Sequence, residues 1–338
     1  MGPASVTKVS AALAGLMKLD DMGLFSTDEK LGTYWPALGR SEKADLRMDE
    51  ILAHQAGLVA WIPFWKKTVR NDGRFKGRTI KHEESGKYPV IVADGLYLKD
   101  NYRNKIYNEI KRSPVGEKKY LYSGLTFFLY PKIIENLSGE RYEDFLNEKI
   151  YHRLGAYNIV FNPYRFYPVS QIVPTEVDTL FRKQLLHGFV HDEGSAMMGG
   201  FSGNAGLFAT ASDLIKLVEM YRRMGNYGGD QIIGADILEK YSTAPFLDND
   251  NRRGLGFDKP QLPDMVDNIE EIYPCRGASL SSFGHSGFTG TFVWADPEKE
   301  VSYVFMSNRV YPTRENNLIS DMNIRTEILQ AIYDSIIE

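Results

Sequence analysis

The sequence holds one cysteine, Cys275, in 338 residues. A single cysteine makes neither an internal disulfide nor a zinc knuckle. Its surroundings, Tyr273-Pro274-Cys275-Arg276-Gly277, supply no base for a reactive thiol, so Cys275 reads as structural. Long apolar runs are absent too: no stretch approaches the ~20 residues of a membrane-spanning helix. Met1-Gly2-Pro3-Ala4 enters directly into a patterned segment, without the charged and apolar regions of a signal peptide. Nor is there an excess of one charge. Forty Lys and Arg face 44 Asp and Glu, a net charge of −4, which gives no electrostatic basis for nucleic acid or an anionic membrane as partner. Repeats and low-complexity tracts are lacking as well.

What is present is ordinary globular material, 43 % apolar and 25 % charged. The length suits one large domain or two lobes sharing a cleft. Twenty tyrosines suit a cleft that binds an organic ligand.

Helical spacing of Val6, Val9, Ala12, Leu13 and Leu16 predicts a buried helix over 5–22, stopped by Gly23. A short helix in 48–58 ends at Gly57. Residues 59–118 show no sustained period and read as a long excursion over one side of a cleft. Helices are expected at 125–137, with Pro131 as a kink, at 142–151, and at 212–224 with Ser212 as cap and Gly225 as stop. Two β-rich runs in 290–309 flank Asp296-Pro297-Glu298-Lys299, a hairpin signal. A last helix is expected over 316–337. The order implies an α/β (α+β) architecture: an antiparallel sheet flanked by helices, formed from about 1–30 and 250–338, with a mainly helical lobe at about 31–249 inserted into a single domain spanning 1–338.

Three stretches carry chemistry. Ser5 and Lys8 stand at i and i+3 at a helix start, so they share a face. A buried lysine can deprotonate a serine hydroxyl, and free N–H groups at a helix entrance stabilise an oxyanion. Tyr122-Ser123-Gly124 precedes another helix, where a tyrosine can relay a proton. His285-Ser286-Gly287-Phe288 leads into a strand, with glycines at 284, 287 and 290 that permit close approach of a ligand. Each also has a structural reading: a serine cap, an aromatic at a helix entrance, a glycine-rich turn.

Taken in order, these stretches resemble the β-lactamase and penicillin-binding serine hydrolases with their Ser-x-x-Lys motif, and the class C-type branch in particular, which includes D-alanyl-D-alanine carboxypeptidases and esterases. ILAHQAGL at 51–58 and GGFSGNAGLFATASDLIKLVEMY at 199–221 resemble further segments of that branch. The resemblance implies a β-lactamase/transpeptidase-like fold and a serine hydrolase that acts through an acyl-enzyme on a small ester or amide. It implies Ser5 as nucleophile, Lys8 and Tyr122 as base and relay, and His285 where many members have lysine. The N–H groups of Ser5 and Phe288 would form the oxyanion hole, with Ser123, Ser286 and Gly287 beside the substrate. No metal or organic cofactor is implied, and the partner is a small-molecule or peptide substrate.

Two departures qualify the pattern. Gly124 replaces the polar third residue of the second motif, which motivates an alternative: a weakly active or inactive binding module of a larger cell-wall or glycan-processing protein. The strands that usually precede the serine motif are missing. With IVPTEVD at 172–178 and VHDEGSAMMGG at 190–200, this resembles modules fused behind N-acetylglucosaminidase-type glycosidases. The expectation is a C-terminal piece, exported or periplasmic, whose signal lies upstream. His187, His191, Asp192 and Glu193 could form a metal site, and the alternative is a structural or cleft-lining loop. The flanking glycines favour the loop. Asp248 to Gly254 is a poor calcium loop, because Arg252 and Arg253 fall at ligand positions. His54 reads as a structural histidine at a helix end.

Overall fold

The computed structural model describes residues 1–336 and has mixed α and β content arranged around a buried N-terminal helix. A π-helical turn, Lys8–Ala12, runs directly into α1, Leu13–Asp21. Apart from Lys18 and the terminal aspartates, its residues are small or aliphatic on every side, and Val9 to Met17 are almost wholly inaccessible. A helix apolar all round belongs in a core.

The helix in 48–58 is α2, Met48–Leu52, and Gly57 turns the chain at φ +69°. The region 59–118 is more regular than its pattern suggests. It holds a small antiparallel sheet of β1 (Ile80–Lys81), β2 (Val90–Ala93) and β3 (Leu96–Leu98), in the order β1-β3-β2, followed by α3, Tyr102–Arg112. The α3 helix was hidden because only Tyr102, Ile106 and Ile110 are buried, a stripe too narrow to stand out among charged residues.

Pro131 does not kink its helix. A 3-10 turn at Thr126–Phe128 comes first, and α4, Tyr130–Ser138, begins with Pro131 in its first turn, where a missing N–H costs nothing. Then α5, Tyr142–Leu146, continues into a π-helical turn, Asn147–Tyr151. Two strands, β4 (Pro174–Asp178) and β5 (Gln184–His187), pair antiparallel, and a short helix follows, α6, Glu193–Met197. The next helix, α7, spans Ala211–Arg222. Its cap is Thr210 and not Ser212, because Thr210 is extended and its Oγ1 accepts from Asp213 N–H at 3.2 Å.

The C-terminal runs form an antiparallel sheet of β6 (Phe283–Ser286), β7 (Phe292–Asp296) and β8 (Val301–Phe305), in that order, with 297–300 as the hairpin turn. Phe283, Val293 and Ala295 face the main core. On the opposite face, Phe292, Trp294 and Tyr303 pack on Leu329 and Tyr333 of α9, Ile324–Asp334, which follows α8, Leu318–Asp321. Burial on both faces explains why β7 is apolar from Phe292 to Ala295 and does not alternate. Gly284 lies opposite Trp294, and a Cβ there would stand 2.4 Å from the indole. The C-terminal helix is divided at Asn323, and the end of the expected 316–337 span falls outside the described residues. Among the described residues, no helix is long and apolar enough to cross a membrane.

Candidate active site

Ser5 stands just before the first helical turn, half-buried, after Ala4 at φ +51°. Lys8, one turn on, is 3 % exposed, and its Nζ lies 3.1 Å from Ser5 Oγ. The same Nζ donates to the Asn204 carbonyl at 3.0 Å and sits 5.4 Å from the ring centres of both Tyr122 and Phe127. The segment is tied down from two sides. Thr289 Oγ1 donates to the Gly2 carbonyl at 3.0 Å, and Leu207 N–H donates to Thr7 Oγ1 at 3.3 Å. A Cβ on Gly287 would come within 2.3 Å of the Pro3 carbonyl oxygen, so only glycine lets the turn after β6 ride on the chain entering Ser5. The backbone N–H groups of Ser5 and Phe288 donate to no acceptor among the described residues, the state required of oxyanion donors.

Tyr122 and His285 meet across the cleft, with the phenol oxygen 3.4 Å from Nε2. His285 Nδ1 lies 2.6 Å from the Ser286 carbonyl, an obligate acceptor, so Nδ1 carries the proton and Nε2 presents its lone pair to Tyr122. Burial, with the positive charges of Arg253 and Lys8, pushes the His285 pKa down to about 3, and the ring is neutral at physiological pH. His54 supports this wall. Its ring is 4.5 Å from that of Tyr122, and its Nδ1 accepts from Ser123 N–H at 3.2 Å. Burial holds it, too, well below the usual histidine range. Behind Tyr122 the buried Arg253 guanidinium lies 5.5 Å from the ring and 3.3 Å from Asp258. Asp258 is held to β6 by a pair of backbone hydrogen bonds with Gly284.

The structure thus brings Ser5, Lys8, Tyr122, His285 and Phe288 together. Ser123 is a correction. Its hydroxyl donates to the Val59 carbonyl at 2.7 Å and accepts from Leu125 N–H, so it holds a turn and does not face the substrate space. Ser286 and Gly287 meet the site through their backbones: the Ser286 carbonyl faces His285 Nδ1, and Gly287 lies against the Pro3 carbonyl. At Gly124, a Cβ would lie 3.8 Å from Lys8 Nζ and 3.9 Å from Asn204 Cβ, so the missing side chain leaves room beside the base.

The cleft has a volume of about 380 Å³, and Trp61, His191, Asp192, Asn204 and Arg314 join its lining. Of these, sequence reasoning missed Trp61, Asn204 and Arg314 as site residues, while His191 and Asp192 were read as part of a structural or cleft-lining loop. The segments VHDEG and SGNAG stood out, but nothing in their spacing says that Asn204 meets a lysine 196 positions away. Asn204 is anchored through Oδ1, which accepts from Ser195 and Ser202, and through Nδ2, which donates to Asp192. The metal arrangement considered for 187–193 does not form: His187 ends β5 with its ring on the Ile172 carbonyl, apart from the cleft-lining His191. Among the described residues, no group of three or more His, Cys, Asp or Glu is placed to hold a metal.

A helix-borne Ser-Lys pair, a tyrosine, and a histidine on the strand of an antiparallel sheet define one class of protein. Residues 2–321 match the beta-lactamase family, and the chain belongs to it. Among curated proteins it is similar to one named "Putative D-alanyl-D-alanine carboxypeptidase" from Escherichia coli (strain K12), at 29 % identity over 329 residues, covering 90 % of this chain and 68 % of the relative. Solved structures share the fold. A penicillin-binding protein homologue from Caulobacter crescentus aligns at TM-score 0.63 and 18 % identity, covering 99 % of this chain and 83 % of that one. The hydrolase EstCE1, described as having promiscuous acyltransferase activity, aligns at 0.62 and 16 %, covering 98 % and 83 %.

Proposed function

We propose that this chain is a serine hydrolase that acylates Ser5 with a small ester or amide and then hydrolyses the acyl-enzyme. The 3.1 Å approach of Lys8 Nζ to Ser5 Oγ, in a buried site lined by Tyr122, carries the reading. Lys8 Nζ takes the Ser5 proton while Oγ forms its bond to the substrate carbonyl carbon. The carbonyl oxygen becomes an oxyanion between the N–H groups of Ser5 and Phe288. As the tetrahedral intermediate collapses, the bond to the leaving group breaks. That group receives the proton through Tyr122, whose hydroxyl His285 Nε2 orients as an acceptor. Water enters by the reverse proton path and releases the acid. The names of the curated relatives favour cell-wall material and an exported or periplasmic setting.

The alternative, a binding module that retains the fold, is favoured by Gly124, which leaves Lys8 without the usual polar neighbour. Intact-protein mass spectrometry after exposure to a fluorophosphonate, and separately to a penicillin, discriminates the two. The expected result is an adduct on wild type and none on Ser5→Ala. Equal labelling of both, or no adduct on folded wild type, rejects the hydrolase reading.

A further inference from the structure

We propose that His191 and Asp192 form a subsite for a protonated amine, so that the cleft accepts esters or amides whose acyl part carries an ammonium group and disfavours those with a free carboxylate. The proposal rests on the hydrolase reading for the chemistry at Ser5, but the subsite is argued from its own geometry.

Asp192 caps α6. Its Oδ1 accepts from Ser195 N–H at 2.7 Å and from Asn204 Nδ2 at 3.2 Å. Its Oδ2 has no hydrogen-bond partner and no lysine or arginine within ion-pair distance among the described residues, yet Asp192 lines the cleft. Burial works against ionisation, but the neighbouring His191 and the donors on Ser195 and Asn204 outweigh it and hold the carboxyl below its ordinary value. His191 is 7 % exposed, lines the same wall, and stacks on Phe288 with ring centres 5.8 Å apart. Neither of its ring nitrogens has a partner among the described residues. Burial pushes its pKa to about 4, so the neutral ring offers one acceptor nitrogen. A carboxylate oxygen and an imidazole nitrogen left open in a half-enclosed cleft are costly unless a donor meets them.

The cations nearby are already committed. Arg314 binds Glu176 at 2.7 Å and Glu193 at 3.1 Å. Arg309 lies over the Phe288 ring and donates to the Phe288, Arg314 and Asn316 carbonyls. Lys8 is engaged with Ser5 and Asn204, and a neutral His285 stands where related enzymes carry a lysine. A substrate carboxylate would therefore meet an open carboxylate, whereas an ammonium would meet two acceptors. Trp61, 55 % exposed, adds an aromatic face of the kind cations favour. Asp192 is joined to Lys8 through Asn204, so an amine bound there lies within reach of a short acyl chain on Ser5.

Kinetic comparison of p-nitrophenyl esters of 3-aminopropanoic, butanoic and succinic acids tests the idea. The amino ester is expected to lead in kcat/KM over its neutral counterpart by about tenfold, the worth of one charge-assisted hydrogen bond, and the succinate monoester to be poorest. The lead shrinks above the pKa of the amine. In Asp192→Asn, which keeps a cap oxygen for Ser195, it disappears. Equal rates, a preference for succinate, or an unchanged ratio in Asp192→Asn overturns the subsite. Thermal melts in butylammonium chloride and in sodium butyrate, run on Ser5→Ala, separate this from the hydrolase reading. Selective stabilisation by butylammonium that Asp192→Asn removes supports the subsite even if no ester turns over; no selectivity on the folded protein rejects it.

Discussion

Under the proposed mechanism, Asn204 is the residue on which Lys8 depends. Lys8 gains from it only a backbone carbonyl, but that carbonyl is held by three side-chain hydrogen bonds, to Ser195, Ser202 and Asp192. Asn204→Ala leaves two buried hydroxyls short of an acceptor and is expected to cost on the order of 1–3 kcal/mol of stability, and to lower kcat more than it raises KM. Because the space at Gly124 abuts both Lys8 and Asn204, adding Gly124→Asn to that variant is expected to recover part of kcat. Unchanged turnover in Asn204→Ala, measured beside a melting curve, would show that Lys8 needs no such anchor. The Ser5-Lys8 pair and the Tyr122 and His285 stretches were legible in the sequence, because each combines a reactive side chain with a local helix or strand signal. Asn204 was not, and His191 and Asp192 were legible only as a possible cleft-lining loop, because polar residues in a glycine-rich loop carry no period and acquire their meaning only from what packs against them.

Among the elements, the proposed mechanism leans most on the turn after β6. Gly287 N–H donates to the Thr291 carbonyl, and the glycine rests against the Pro3 carbonyl, which seats the turn carrying Phe288 on the chain that enters Ser5. Gly287→Ala forces the turn and the nucleophile segment apart. Loss of one oxyanion donor lowers kcat by about 10²–10³, and ester turnover with a thermal melt as control is the check. Turnover within a few-fold of wild type would remove Phe288 from the oxyanion hole. Element existence followed from the pattern where one face or the whole surface is apolar, as in α1 and the β7–β8 hairpin. It failed for α3, whose three buried residues are diluted by charge, and for the role of Pro131, since a proline in the first turn and a proline at a kink read alike until the preceding 3-10 turn is seen.

On the scale of the whole molecule, the site is built from neutral histidines buried beside fixed positive charge. The unfolded chain protonates His285 near its ordinary value of 6.5, whereas the folded protein does so only near 3. Between those values the unfolded state binds more protons, so the contribution of neutral His285 to stability is present at neutral pH and is lost as pH falls. Glu176 and Glu193, whose carboxyls burial raises, act with the opposite sign, which makes a difference measurement the clean one. The melting temperature of wild type relative to His285→Asn is expected to fall steadily from pH 7 to pH 4. A constant difference across that range would mean that His285 titrates normally in the fold.

By itself the sequence determined the buried N-terminal helix, the hairpin, the mixed α and β architecture and the family pattern of serine, tyrosine and histidine stretches, because these depend on residues a few positions apart. Tertiary structure alone decided that Asn204 supports Lys8, that Ser123 turns away from the cleft, and that Asp192 and His191 open into it. Those relations join segments far apart in the chain, 196 residues for Lys8 and Asn204 and 64 for Ser123 and Val59, and they are set by how sheet, loop and helix pack around α1, which no local period records.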